Sequence, residues 1–97
     1  MIRHTVVFRL KHATGSPEES NFLQAATKLA NISTVKKFEC LRQVSKKNNY
    51  QFGLSMEFDD QSAYQTYNEH PDHVAFVRDR WTKEVADFME IDYQPLK

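Results

Sequence analysis

The stretch Tyr50-Gln51-Phe52-Gly53-Leu54-Ser55-Met56-Glu57-Phe58 alternates without a break. Tyr50, Phe52, Leu54, Met56 and Phe58 fall on one side, with Gln51, Gly53, Ser55 and Glu57 opposite, which is the two-residue period of a strand with one buried face. Just before it, Ser45-Lys46-Lys47-Asn48-Asn49 is a polar connection short enough for a hairpin. Val35 to Val44 therefore reads as the partner strand, with Phe38 and Cys40 on one face and Glu39 and Leu41 on the other. Residues 2 to 11 repeat the alternation, Ile2, His4, Val6, Phe8 and Leu10 against Arg3, Thr5, Val7, Arg9 and Lys11. Strands of this kind need a helical layer on their apolar side.

The sequence supplies one. Ser16-Pro17-Glu18-Glu19 reads as a helix start, with a hydroxyl N-cap, proline in the first turn and Glu at the capping-box position. Phe22, Leu23, Ala26, Leu29 and Ala30 continue at helical spacing, ending near Asn31. Asp59 and Asp60 are N-cap candidates for a short helix in which Ala63, Tyr64 and Tyr67 share a face. Pro71 disfavours helical geometry at His70 and suits the first turn of a new helix, with Val74, Val77, Trp81, Val85 and Phe88 as its stripe. Met89 to Gln94 reads as a last short strand.

The order β-α-β-β-α-α-β predicts one α+β domain over residues 1–97, a ferredoxin-like βαββαβ unit with a four-stranded antiparallel sheet. Helices cover one sheet face. The other carries Arg3, Thr5, Val7, Arg9, Gln51, Ser55 and Glu57, and a bare face of that width predicts a homodimer.

Composition narrows the function. Thirteen basic and thirteen acidic residues cancel in a chain of 97, so no general attraction to nucleic acid or anionic membrane is expected. The pairs Lys36–Lys37 and Lys46–Lys47 read as surface solvation. Arg3, His4 and Arg9 interrupt the N-terminal apolar residues, which argues against a signal peptide or membrane span; a cytoplasmic location is the expectation. Cys40 has no partner for a disulfide or a metal cluster and reads as a small buried hydrophobe. No phosphate loop, dinucleotide fingerprint or nucleophile motif occurs, and neither cofactor nor metal is expected.

Chemistry concentrates in Tyr67-Asn68-Glu69-His70-Pro71-Asp72-His73-Val74-Ala75-Phe76. His73 precedes Val77 by one turn and Trp81 by two, so its ring is expected on their inward face, and a place in the first helical turn favours the neutral imidazole. Tyr67 lies on the inward face of the preceding helix, and His4 points to the same side of the first strand. His73 and Tyr67 are thus the candidate acid/base pair. His4, His70 and Trp81 are placed along a ligand pocket for a small apolar molecule, Trp81 also reading as a core anchor. The structural alternative is that His70 caps a helix while His73, Tyr67 and His4 satisfy one another in the core.

Met1-Ile2-Arg3-His4, opening a strand that ends Phe8-Arg9-Leu10-Lys11, together with Tyr67-x-x-His70-Pro71-x-His73-x-x-Phe76 and Ile91-Asp92-Tyr93, resembles the stress-responsive A/B barrel (Dabb) proteins over nearly the whole chain. The resemblance implies a dimeric α/β barrel in which two sheets pack face to face. Many members have no assigned activity; one plant member is a polyketide cyclase that closes a ring by aldol condensation. Its active-site tyrosine and histidine correspond to Tyr67 and His73, and His4 matches a further pocket histidine. Where that cyclase lines its pocket with another tyrosine and histidine, this chain has Ala25 and Phe52, so the resemblance places Phe52 along the ligand pocket and implies a more apolar one. Some plant members also hold a cation on backbone carbonyls in the stretch matching Leu29 to Val35. Three readings stay open: a ligand-binding dimer without catalysis, a lyase or cyclase using His73 and Tyr67, and a monooxygenase of the wider dimeric barrel group.

Overall fold

A computed structural model describes all 97 residues. Four strands, β1 (Ile2–Leu10), β2 (Lys36–Arg42), β3 (Phe52–Phe58) and β4 (Val85–Tyr93), form one antiparallel sheet in the order β2-β3-β1-β4. Helices α1 (Pro17–Thr27), α2 (Gln61–Glu69) and α3 (Pro71–Phe76) pack on one face, α1 running on into a 3-10 turn, Lys28–Asn31. A π-helical turn, Val77–Trp81, and one last turn, Thr82–Glu84, lead α3 into β4. This is the ferredoxin-like arrangement.

Local chemistry sets the helix starts. Ser16 caps α1 by accepting from the Glu19 amide at 3.2 Å, with Pro17 in the first turn. Asp60 caps α2 by accepting from the Ala63 amide at 2.8 Å. His70 ends α2 with extended backbone and caps α3, accepting from the Asp72 amide at 3.1 Å. Pro71 follows at the head of α3, so the two helices meet at a bend rather than running on.

The core lies between sheet and helices. Phe8, Phe22, Phe58 and Met56 are its largest fully buried side chains. Phe8 on the central strand packs its ring 5.8 Å from Phe22, 5.8 Å from Phe52 and 5.0 Å from Trp81.

The structure corrects the sequence reading in three places. Val85 and Phe88 belong to β4 and not to a helix, although both lie on the helix side of the sheet, Val85 buried and Phe88 half exposed. Three residues apart, they would point to opposite sides of a regular strand. A register shift opposite Arg9 and Leu10 pairs Leu10 with Val85 and Phe8 with Phe88, so both share the helix-facing side. That bulge reproduces helical spacing within a strand. Val74, placed on the inward stripe, is exposed, and Phe76 takes the buried position. Cys40 faces the helix side opposite Leu54 yet is exposed, because β2 is an edge strand only partly covered by α1. A second bulge, with Lys37 at φ 51°, blurs the β2 pattern.

No helix covers the other sheet face. Beside Thr5, Val7, Gly53 and Ser55 it carries Leu41 from β2 and Met89, Ile91 and Tyr93 from β4, all four of these exposed. Arg3 and Lys37 both pair with Glu57, at 2.7 and 3.3 Å.

Candidate functional site

Between the helical layer and strands β1, β3 and β4 lies a cavity of about 490 Å³. Its walls are mostly apolar, including Val6, Leu54, Met56, Phe76, Trp81 and Phe88. Its polar lining residues are His4, Tyr67, Asn68, His73, Thr82 and Glu90. An apolar chamber with a few convergent polar groups is the usual form of a small-molecule site.

The bend at Pro71 sets Tyr67 and His73 on either side of it, with ring centroids 4.4 Å apart. The His73 ring is fixed through Nδ1, which lies 3.2 Å from the Asn68 carbonyl and so carries the proton that it donates. Nε2 is left as an acceptor. Burial holds the imidazole below its usual pKa, and the nearby His4 ring adds to this, while Glu90 and the Asn68 carbonyl oppose it. Tyr67 is almost wholly buried, and its hydroxyl makes no hydrogen bond within the chain. Burial first, and the charge of Glu90 second, raise its pKa and keep the phenol protonated.

His4 reaches the cavity from the central strand, 6.3 Å from the Tyr67 ring. Its partners lie elsewhere. Nδ1 donates to Asp92 Oδ1 at 2.6 Å, and the Tyr64 hydroxyl sits 2.9 Å from the same nitrogen while donating to Asp92 Oδ2 at 2.9 Å. Asp92 stands opposite His4 in the β1–β4 ladder, which places both side chains on the helix side. The bonded Nδ1 leaves Nε2 of His4 free, as in His73. Two imidazoles therefore present unbonded ring nitrogens to one chamber, beside one unpartnered phenol.

Phe52 and His70 do not line this cavity, contrary to their expected places on its wall. Phe52 is buried against Phe8, because its inward position in β3 lies at the far end of the strand from Phe58 and the Tyr67 ring. His70 spends its ring nitrogen on the cap of α3. Ala25 also lies outside the cavity, packed against the core from α1. Trp81 does both things expected of it, packing on Phe8 and facing the chamber. Tyr64, Glu90 and Asp92 were missed. The signal for the last two was present: in Phe88-Met89-Glu90-Ile91-Asp92-Tyr93 polar residues alternate with large apolar ones, so one face of that strand must be out of keeping with its surroundings. No group of three or more His, Cys, Asp or Glu side chains converges as a metal centre, and no helix is long and apolar enough to cross a membrane.

The His73 environment has a consequence for pH. Unfolded, the ring titrates near about 6.5; folded, it binds its proton only at lower pH. The stability due to the neutral buried ring is therefore complete above that value and is lost as pH falls through the window below it. NMR titration is expected to give His73 a midpoint below 6.5, and the stability lost between pH 7.5 and 5.5 should shrink in His73→Gln. A midpoint at or above the unfolded value would contradict the burial described.

The Stress responsive A/B Barrel Domain family matches residues 2–95. A Dabb family protein of ferredoxin-like fold from Mesorhizobium loti is 63% identical, with 99% of this chain and 97% of that chain covered and a TM-score of 0.96. A dimeric ferredoxin-like protein of unknown function from Thermobifida fusca is 26% identical, covering 95% of this chain and 88% of that one at a TM-score of 0.76. An Arabidopsis thaliana protein is 25% identical over 100% of this chain and 97% of its own, at a TM-score of 0.84. No curated protein matches the sequence. With residues 2–95 matched by the family and a Dabb family protein 63% identical over nearly the whole chain, this chain belongs to the stress responsive A/B barrel (Dabb) domain family.

Proposed function

We propose that the protein is a homodimer that binds a small, largely apolar molecule in the chamber between helices and sheet. The observation that carries the binding reading is the chamber itself: about 490 Å³, walled by apolar side chains, with the Tyr67 hydroxyl unpartnered at its polar side. The Tyr67 ring is buried but its hydroxyl remains accessible from the chamber, so it is free to donate to a partner from outside the chain. A ligand is such a partner.

The dimer reading rests on the uncovered sheet face. Leu41, Met89, Ile91 and Tyr93 form an apolar band on it, bordered by charged pairs such as Arg3–Glu57. Sheet-to-sheet packing would bury that band, and the similar Thermobifida fusca protein is described as dimeric. The same contact would leave the chamber, on the opposite side of the sheet, open.

A second reading is favoured by one detail, the pairing of a protonated donor with an unprotonated acceptor at the bend around Pro71. Tyr67 could hold a carbonyl oxygen while His73 Nε2 takes a proton from the adjacent carbon, the first step of an aldol or lyase reaction.

Each reading has its measurement. Light scattering at micromolar concentration is expected to give twice the 11.4 kDa chain mass, and Ile91→Glu is expected to give a folded monomer; a monomeric wild type would end the dimer reading. The neutral fluorophore N-phenyl-1-naphthylamine should bind saturably, one per chain, and Val77→Trp, which fills the chamber, should abolish the signal. Unchanged binding by that variant would place the fluorophore elsewhere and contradict the binding reading. For the acid/base reading, an apolar aryl ketone in D2O should exchange its α-hydrogens faster with protein present. His73→Asn should remove that acceleration, and exchange equal in both proteins would refute it.

A further inference from the structure

The polar side of the chamber is unbalanced. His73 Nε2 and the Glu90 carboxylate offer lone pairs, and the Tyr67 hydroxyl stands beside them as a donor with no partner in the chain. No Lys or Arg lines the chamber. Glu90 pairs with Val6 in the β1–β4 ladder, so its side chain lies on the helix side of the sheet, where it remains solvent-exposed beside the chamber, and it makes no ion pair or hydrogen bond within the chain. Its charge acts on both Tyr67 and His73.

We propose that Glu90 is a specificity residue that selects an uncharged, hydroxyl-bearing head group and rejects anionic ones. The inference rests on the ligand-binding reading above and adds the chemical class of the ligand. A hydroxyl satisfies the site from both directions. Its proton goes to His73 Nε2, and its oxygen accepts from Tyr67. A carboxylate can accept from Tyr67, but it has no proton for His73 and meets the charge of Glu90 with no Lys or Arg to offset it. An ammonium pairs with Glu90 but has no lone pair for Tyr67. The rings of Trp81 and Phe88, 5.5 Å apart in an edge-on arrangement, suit a flat apolar body behind that head group.

Competition against N-phenyl-1-naphthylamine tests this with three probes of one shape, 4-butylphenol, 4-butylbenzoate and 4-butylbenzylamine, at pH 7.5. The phenol is expected to displace the fluorophore on the order of tenfold more effectively than the benzoate, with the amine between them. In Glu90→Gln, which keeps the side-chain size and the fold, the benzoate should gain and its disadvantage should fall to about threefold or less. Benzoate binding as well as phenol in the wild type would overturn the proposal. So would a discrimination left unchanged by Glu90→Gln. If the fluorophore itself fails to bind, the ligand-binding reading falls. If it binds and the three probes compete equally, only the role of Glu90 falls.

Discussion

A histidine on a central strand, facing the helices and nearly sealed from solvent, has to be paired. His4 meets that constraint with Asp92 and Tyr64, and in doing so joins β1, β4 and α2 at one point. Removing Asp92 or Tyr64 would leave buried polar atoms without partners, a cost that packing nearby cannot recover. The pairing also fixes which ring nitrogen is occupied. Everything on the polar side of the chamber is then set by what is left over: Nε2 of His4, Nε2 of His73 and the Tyr67 hydroxyl.

The chamber exists because the second helical segment does not lie flat on the sheet. His70 and Pro71 break the chain between α2 and α3, and the π-helical turn at Val77–Trp81 changes the helical phase before β4 begins. Trp81 holds the segment off the sheet. Its indole rests on Phe8 below and meets Phe88 at its edge, so the same side chain supports the core and forms a wall. The apolar walls explain why the polar groups in the chamber are perturbed: burial dominates the shifts of both Tyr67 and His73.

Much of this was readable in the residues. The alternation in β1 and β3, the caps at Ser16 and Asp60, the break at Pro71 and the nearness of Tyr67 to His73 all follow local rules, because strand period, capping and proline sterics act over a few residues. What escaped was non-local or irregular. The bulge opposite Arg9 and Leu10 gave Val85 and Phe88 a helical spacing, which delayed the start of β4 and concealed that Glu90 and Asp92 face inward. The bulge near Lys37 had the same effect on β2. The partners of His4 were out of reach because they depend on the β1–β4 register, across 88 positions of sequence for Asp92. Phe52 was assigned to the wall by resemblance and His70 by motif, and neither criterion contains depth along a strand or the use of a ring nitrogen in a cap.

The central claim is that the chamber receives a ligand whose head group lies between Tyr67 and His73. The most direct measurement is a crystal structure of the protein soaked in 4-butylphenol. The account predicts density for the ring beside Trp81 and Phe88, with its oxygen at hydrogen-bond distance from the Tyr67 hydroxyl and from Nε2 of His73 or His4. An empty chamber in a crystal where the phenol is bound elsewhere would contradict it, as would a phenol lying in the chamber with its oxygen turned away from Tyr67.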